Sequence, residues 1–255
     1  MILTIDIGNS QIVLGAYNDD ILAFTSRIST DSRKSADQYA VLIKEILALH
    51  NCPAKKFKGC VVGSVVPEIT QTVKQAVSMI TKTDVIVLSH GVKTKLNIRT
   101  LNPAEVGADL VATAVAAKDK YPCPCLIWDL GTATKISVLD RSGSFIGCTI
   151  SPGINMGIKA LSTDTSQLNP IEISQVESAI GNNTFKSISS GIILGTAVML
   201  EGLSEKIKKE MGEEKVTIVA TGGLSKIVLN NVNQNVIYDE NLILDGLKLI
   251  YDYNS

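Results

Sequence analysis

The sequence predicts an α/β fold that consists of two related halves. Short runs of β-branched residues alternate with helical stretches along the 255 residues, which is the pattern of strands covered by helices. Residues 4–10 (TIDIGNS) align with residues 127–133 (IWDLGTA) at a constant offset, and the pattern of a β-hairpin follows each copy. A repeated strand, loop and hairpin indicates an internal duplication, so both halves are expected to share one topology.

The elements of the first half follow from local patterns. Strands are assigned to β-branched runs bounded by Asn, Asp, Ser or Gly, and helices to apolar residues spaced three or four apart. In order, they are strands at 2–6, 11–16 and 21–25, a helix at 36–50, a strand at 59–66, a helix at 68–80, a strand at 84–88 and a helix at 103–118. The last helix has a strong start signal, because Asn102 can cap it, Pro103 suits its first position and Glu105 its third.

The second half begins with the same order of elements. Its predicted elements are strands at 126–129, 135–139 and 144–149, helices near 155–161, 171–180 and 191–211, strands at 216–220 and 235–238, and a closing helix at 240–251. A charged helix end is followed by Tyr-Pro-Cys-Pro at 121–124, which is typical of a boundary. We therefore predict an N-terminal half at 1–120 and a C-terminal half at 121–255.

The composition argues against a nucleic-acid-binding, secreted or membrane protein. There are 24 Lys and Arg residues against 25 Asp and Glu, without a basic block, and four Phe with one Trp form a poor base-stacking set. Five cysteines without zinc-type spacing fit a reducing cytoplasm, and a carboxylate at Asp6 without a basic lead is unlike a signal peptide. The longest uncharged stretch, 142–158, contains four Gly and a Pro, so it does not predict a membrane helix.

Each copy of the repeat ends a strand with a carboxylate and continues with a glycine and small polar residues. Such a turn lets several backbone N–H groups and a hydroxyl converge on one phosphate, and the carboxylate can hold a cation beside it. In the first loop the donors would be Gly8, Asn9, Ser10 and Gln11, with Asp6 facing Mg²⁺ or its water. In the second loop they would be Gly131, Thr132, Ala133 and Thr134, with Asp129 facing an ion. Turns also use Asp and Gly for conformational reasons, so it is the repetition that favours two facing phosphate loops.

Asp109 is the only charged residue between Val106 and Ala117, and its neighbours are small. A carboxylate in such a run is either the wet edge of an amphipathic helix or a group held for chemistry, and the pattern leaves both interpretations open. As a base, Asp109 would deprotonate a substrate hydroxyl for in-line attack on a terminal phosphate.

Two further glycine motifs lie near predicted strand ends. The turn at 151–153 (SPG) either lies against the second loop or is only a connection. The two adjacent glycines in 221–224 (TGGL) either let adenine or ribose approach the backbone or form only a strand-to-helix turn. Neither a Walker motif nor a dinucleotide-binding glycine motif occurs, so nucleotide binding through those folds is not expected.

Seven motifs together carry a family resemblance. They are DIGNSQIV at 6–13, GSVVP at 63–67, NPAEVGAD at 102–109, DLGTAT at 129–134, ISPG at 150–153, NT at 183–184 and TGGL at 221–224. In order and spacing they resemble the type III pantothenate kinases, members of the actin/sugar kinase/Hsp70 ATPase superfamily. The resemblance implies a duplicated actin-like (ribonuclease H-like) ATPase fold with a cleft between its halves. It also implies that a cytoplasmic homodimer phosphorylates pantothenate with ATP to 4′-phosphopantothenate, the first step toward coenzyme A.

The resemblance further implies roles for individual residues. The first phosphate loop would consist of Asp6, Ile7, Gly8, Asn9, Ser10, Gln11, Ile12 and Val13. ATP would also contact Thr132, beside Gly131, and Asp109 would accept the proton. Pantothenate would contact Gly107, Ala108, Asp109 and Leu110, and also Thr184 from near the dimer interface. The family's activity requires Mg²⁺ and a monovalent cation such as K⁺ or NH₄⁺, which Asp129 would bind.

Three positions depart from the family pattern. Leu110 replaces an Arg, Thr100 replaces a Tyr, and Lys135 replaces a Thr. Losing the Arg removes as many as five N–H donors and a fixed charge, whereas Lys135 either supplies charge near the phosphates or faces solvent on the hairpin. These departures keep two alternatives open: a catalytically impaired regulatory or accessory paralogue that binds ATP, and a superfamily kinase or ATPase with another acceptor.

Overall fold

A computed structural model describes residues 1–163, 176 and 178–255. The helix predicted at 171–180 falls largely outside the described residues. The chain divides into two compact units. The first unit comprises Met1–Leu96, Leu101–Asp119 and Asn241–Ser255, and the second comprises Asn97–Thr100 and Lys120–Glu240. The halves 1–120 and 121–255 remain a proposal about the duplication, because compactness describes packing and not ancestry.

The first unit is built on a five-stranded sheet with the order β3-β2-β1-β4-β5. The strands are β1 (Ile2–Ile7), β2 (Gln11–Asn18), β3 (Ile21–Ser29), β4 (Gly59–Ser64) and β5 (Val85–Val87). The helices are α1 (Ala36–Leu49), α2 (Pro67–Thr81), α3 (Ala108–Lys120) and α8 (Leu242–Asp252). The central strand β1 is antiparallel to β2 and parallel to β4. Its Leu3, Ile5 and Ile7 are fully buried and join the core that the apolar faces of α1 and α2 complete.

The second unit repeats this arrangement. Its sheet has the order β10-β9-β6-β7-β8. The strands are β6 (Cys125–Leu130), β7 (Ala133–Leu139), β8 (Phe145–Pro152), β9 (Thr217–Thr221) and β10 (Ile237–Tyr238). The helices are α4 (Ile154–Thr163), α5 (Thr184–Ser189), α6 (Gly195–Met211) and α7 (Ser225–Leu229), with a π-helical turn at Ser190–Leu194. Because β6 is antiparallel to β7 and parallel to β9, as β1 is to β2 and β4, the predicted shared topology is confirmed.

The start of α3 differs from the prediction. Pro103–Glu105 form a single 3₁₀ turn, Val106 is extended, and the α-helix begins only at Ala108. Asn102 does not cap a helix through its side chain, whose amide donates to Glu105 Oε1 at 3.0 Å instead. A Cβ at Gly107 would lie 3.7 Å from Val65 Cγ1, so the segment just before α3 packs against the residue that follows β4. This tertiary contact accompanies a helix start that local capping preferences alone would place earlier.

Two features bear on the expected cellular environment. Burial raises the pKa of the Cys125 thiol to about 12 and that of Cys60 well above its usual value, which fits structural cysteines rather than reactive thiolates. The helical run Thr184–Met211 is long and apolar enough to cross a membrane by length and composition alone, and 33% of its most apolar window is buried. A single such helix is weak evidence of a membrane span, because helices of soluble proteins pass the same test.

Candidate active site

The first candidate loop joins β1 to β2 and is closed by its own backbone. Gly8 N–H donates to Gln11 O at 3.0 Å, while Thr30 donates from its hydroxyl to Gly8 O at 2.6 Å and from its N–H to Ser10 O at 3.1 Å. The side chains of Asn9, Ser10 and Gln11 are exposed. Thr30 was not predicted, because nothing in its local sequence marks it as a support for a loop some twenty residues earlier.

The apolar residues that flank this loop point into the core, unlike its exposed polar residues. Ile7 and Ile12 lie opposite each other on β1 and β2, and both are fully buried. Their side chains anchor the loop in the core, so any contact with a nucleotide would come from their backbone. Val13 lies opposite the half-buried Asp6 in the same strand pair.

Asp6 and Asp109 belong to the same edge of the first unit. Asp6 lies beside Gly63 on the parallel strand β4, and Val65 N–H donates to Ile7 O at 3.0 Å just beyond the strand ends. Gly107 packs against Val65, which brings the start of α3 to the carboxyl ends of β1 and β4. In open α/β sheets this is the edge at which ligands bind.

The structure contradicts one of the two interpretations of Asp109. The eight residues of α3 from Leu110 to Ala117 are all buried, so the helix has no wet edge there and the amphipathic interpretation is wrong. Asp109 itself is half-buried at the second position of the helix, where the helix dipole stabilises a negative charge. Its Oδ1 accepts a hydrogen bond from Leu110 N–H at 2.8 Å, which fixes the carboxylate orientation.

The predicted substrate residues fall into two groups. Gly107, Ala108 and Asp109 are half-buried at the start of α3, whereas the Leu110 side chain is only 7% exposed and packs in the interior. Thr184 belongs to the second unit, where it is exposed at the start of α5, and Asn183 caps this helix by accepting from Lys186 N–H at 2.8 Å.

The second candidate loop, between β6 and β7, is one residue shorter than the first. Gly131 N–H donates to Ala133 O at 3.2 Å, and Ser151 Oγ donates to Thr134 O at 3.2 Å. A Cβ at Gly153 would overlap the carbonyl oxygen of Thr132 and come within 2.8 Å of Gly131 O. Of the two interpretations of the 151–153 turn, the structure supports the one in which Gly153 lies against this loop.

The Asp129 carboxylate beside the second loop forms an ion pair with Lys135. Lys135 Nζ lies 2.8 Å from Asp129 Oδ2, and the two side chains are only 12% and 17% exposed. The pair is a cross-strand contact, because Asp129 and Lys135 are directly opposite on β6 and β7. Of the two interpretations of Lys135, the solvent-facing one is therefore wrong.

The turn after β9 lies at the same edge as the second loop. Gly222 has a φ of 101°, and a Cβ there would come within 2.6 Å of Leu130 O, so the turn itself requires this glycine. Gly223 meets no such constraint, since nothing lies within 4 Å of its ideal Cβ position. Open space at this backbone is what the adenine or ribose interpretation needs.

Two further observations concern metal-binding side chains and Thr100, where the family pattern has a Tyr. Among the described residues no group of three or more His, Cys, Asp or Glu side chains could hold a metal ion. Thr100 Oγ1 is buried without a hydrogen-bond partner in the part of the chain that the structure describes. Thus, where the family pattern has a Tyr, the Thr100 hydroxyl makes no hydrogen bond with the described residues.

Gly153 provides a test of the second loop. We expect Gly153→Ala to weaken ATP binding by about 10-fold or more, because its methyl group would displace the Thr132 carbonyl and distort the backbone N–H groups beside it. Titration with a fluorescent ATP analogue measures the effect. Gly157→Ala in α4 is the matched control, since its Cβ would lie at an ordinary 3.6 Å from Ile192 Cδ1. Equal affinities of the two variants would contradict the role of this loop.

Comparison with known proteins identifies related chains along the full length. The family model for type III pantothenate kinase matches residues 2–206. A type III pantothenate kinase of Brevibacillus brevis is 37% identical over 255 residues, covering 100% of both chains. That of Finegoldia magna is also 37% identical, covering 100% of this chain and 98% of its own, and that of an Exiguobacterium species is 38% identical with full coverage of both.

Solved structures share the fold at low sequence identity. A putative Baf family transcriptional activator from Campylobacter jejuni is 20% identical with a TM-score of 0.61, covering 99% of this chain and 98% of its own. A putative 2-dehydro-3-deoxygalactonokinase from Sinorhizobium meliloti is 11% identical with a TM-score of 0.60, covering 98% and 96%. At these identities the likeness establishes only the fold, which is the duplicated α/β fold of the actin-like ATPases.

Proposed function

The chain belongs to the type III pantothenate kinase family, and from this membership we propose that it transfers the γ-phosphoryl group of ATP to pantothenate. The products are 4′-phosphopantothenate and ADP, and the reaction is the first step toward coenzyme A. The observation that supports this proposal most directly is the location of Asp109 and the first loop at one edge of one sheet.

In the proposed reaction Asp109 accepts the proton of the substrate hydroxyl. The hydroxyl oxygen forms a bond to the γ-phosphorus as the bond from that phosphorus to the bridging oxygen breaks, and ADP leaves. The hydrogen bond from Leu110 N–H to Oδ1 would hold the Asp109 carboxylate in place while it accepts the proton. Gly107 and Ala108 would border the pantothenate, and Thr184 would also contact it.

The two loops would bind the phosphates of ATP. In the first loop Gly8 N–H donates within the loop to Gln11 O, so the predicted donation from Gly8 to a phosphate is not supported. The exposed polar side chains of Asn9, Ser10 and Gln11 would face the phosphates instead, on a loop held in place by Ile7, Ile12 and Thr30. In the second loop Gly131 and Thr132 would play the corresponding part. Gly223 leaves room for the nucleoside beside the turn after β9.

The residues at the end of β1 fit a magnesium ion. Asp6 offers a half-buried carboxylate beside a phosphate-type loop, and oxygen ligands of this kind together with ATP phosphate oxygens are what Mg²⁺ prefers. Bound there, the ion would neutralise charge on the phosphates during transfer. A monovalent cation at Asp129 fits less well, because the Lys135 ammonium group already occupies Oδ2 of that carboxylate.

We further propose that the protein is a homodimer in the cytoplasm. Support comes from large apolar side chains that the second unit exposes, since exposed apolar surface often marks an interface. They are Ile150, Met156, Leu161, Ile180, Phe185, Val198 and Ile237. Thr184 adjoins Phe185, which agrees with a pantothenate contact near the dimer interface. That the protein binds neither nucleic acid nor membranes remains an expectation from its composition.

A coupled assay tests the proposed function. Purified protein with Mg-ATP is expected to release ADP only when pantothenate is added, and mass spectrometry is expected to detect phosphopantothenate. ADP release without pantothenate would support a hydrolase or another acceptor, and ATP binding without turnover would support an accessory paralogue. Light scattering of the same preparation measures whether the mass is twice the 27.2 kDa of one chain.

A further inference from the structure

The ion pair between Asp129 and Lys135 lies where the second loop begins. The two residues face each other across the β6-β7 pair, with Nζ 2.8 Å from Oδ2, and both side chains are largely withdrawn from solvent. Exposed ion pairs contribute little, whereas a pair this protected from solvent fixes both side chains beside the loop.

The duplicated fold supplies an internal comparison for this pair. In the first unit the residue opposite Asp6 is Val13, in the same cross-strand relation that Lys135 has to Asp129. An apolar residue therefore suffices for the hairpin at this position. The charge at Lys135 is a property of the second loop and not a requirement of the strand pair.

The chemistry of the lysine side chain indicates what this charge could replace. The Lys135 head group is an alkylammonium ion, which has the charge of NH₄⁺ and donates hydrogen bonds to carboxylate oxygens as NH₄⁺ does. Because Lys135 is covalently attached on the strand next to Asp129, the concentration of its ammonium group at this carboxylate does not depend on the salt in solution. A second monovalent cation at the same carboxylate would be repelled by the ammonium group.

We propose that the Lys135 ammonium group takes the place of the exchangeable monovalent cation at Asp129. Turnover then depends on Mg-ATP and pantothenate but not on K⁺ or NH₄⁺. The expectation that turnover is independent of K⁺ and NH₄⁺ rests on the proposed kinase function. The exclusion of a monovalent cation from Asp129 does not, because it concerns only cation binding to the folded chain. The two parts are therefore measured separately.

Steady-state kinetics in salts of equal ionic strength test the turnover part. Wild-type kcat is expected to change by no more than about twofold when choline chloride is replaced by KCl or NH₄Cl. Lys135→Thr, which restores the residue typical of the family, is expected to lose about 100-fold in choline and to recover in KCl or NH₄Cl. Lys55→Thr, at an exposed lysine of the first unit, is the control and is expected to behave as wild type.

Thermal unfolding in the same salts tests the binding part without any substrate. The wild-type Tm is expected to be equal in choline chloride and KCl, whereas the Tm of Lys135→Thr is expected to rise with KCl and to saturate, as ligand binding requires. Strong K⁺ activation of the wild type, a K⁺-dependent wild-type Tm, or a Lys135→Thr variant that responds to K⁺ in neither measurement would overturn the proposal. If no salt supports phosphopantothenate formation, the kinase function fails, and the Tm series still decides whether Lys135 excludes the cation.

Discussion

Asp109→Asn is expected to reduce kcat by at least about 100-fold, the usual contribution of a general base. The amide cannot accept the hydroxyl proton, but its oxygen can still accept the hydrogen bond from Leu110 N–H, so the helix start should keep its geometry. ATP affinity should change little because the phosphate loops are intact. Single-turnover phosphorylation and ATP titration measure the two quantities separately.

Asp119→Asn is the matched control for this variant. Asp119 lies on the same helix but is exposed near its end, ten residues beyond Asp109. Its loss should leave both kcat and ATP affinity at wild-type values. If Asp109→Asn turned over as fast as Asp119→Asn, Asp109 would not be the base, and another group would have to accept the proton.

Gly246→Ala is expected to give the largest loss of stability. Gly246 is buried on α8, where its added methyl group would overlap the backbone carbonyl of Ala112 on α3. Backbone cannot move aside as a flexible side chain can, so the two helices must separate. Overpacking of this kind costs about 1–3 kcal/mol or more, and a chain of this size loses roughly 2–4 °C in Tm for each kcal/mol. Calorimetry measures the shift.

Gly202→Ala controls for the change of residue type. Gly202 is exposed within α6, and nothing lies within 4 Å of its ideal Cβ position. There the substitution should stabilise the protein by about 0.5–1 kcal/mol, because Ala loses less backbone entropy than Gly in a helix. A Gly246→Ala protein as stable as Gly202→Ala would mean that α8 does not pack on α3 as closely as described.

The Gly246 variant also links stability to the proposed site. α3 carries Asp109 in its first turn, and α8 supports the same helix one turn further along at Ala112. Displacing α8 should therefore lower kcat as well as Tm, whereas the unrelated α6 variant should lower neither. A Tm loss with unchanged kcat would show that the start of α3 is held by Val65 alone.

Much of the fold could be predicted because the signals are local. Strand and helix periods, and turn residues after each strand, located every strand of both sheets to within a few residues. The short helix α7 carries too few residues to show a helical period, and it was not predicted. The start of α3 was placed too early: capping preferences favour a start at Asn102, whereas in the structure Gly107 packs against Val65 and the α-helix begins at Ala108.

The candidate site was predictable in part for the same reason. The sequence alone identified Asp6, Asp129 and Asp109, since each carboxylate stands out against apolar or small neighbours. It could not decide the orientation of Lys135, because strand alternation predicts a face of the hairpin and not whether that face is covered. It also gave no sign of Thr30, whose two hydrogen bonds to the first loop depend on how β3 ends.

By itself the sequence determined the duplicated order of elements, the carboxylates at the strand ends and the family. Only the tertiary structure decided that α8 closes the first unit after the chain has built the second, that α3 is buried from Leu110 to Ala117, and that Lys135 neutralises Asp129. The reason is physical: hydrophobic period and turn chemistry act between neighbours in sequence, whereas close packing and ion pairing join residues that only the complete fold brings together.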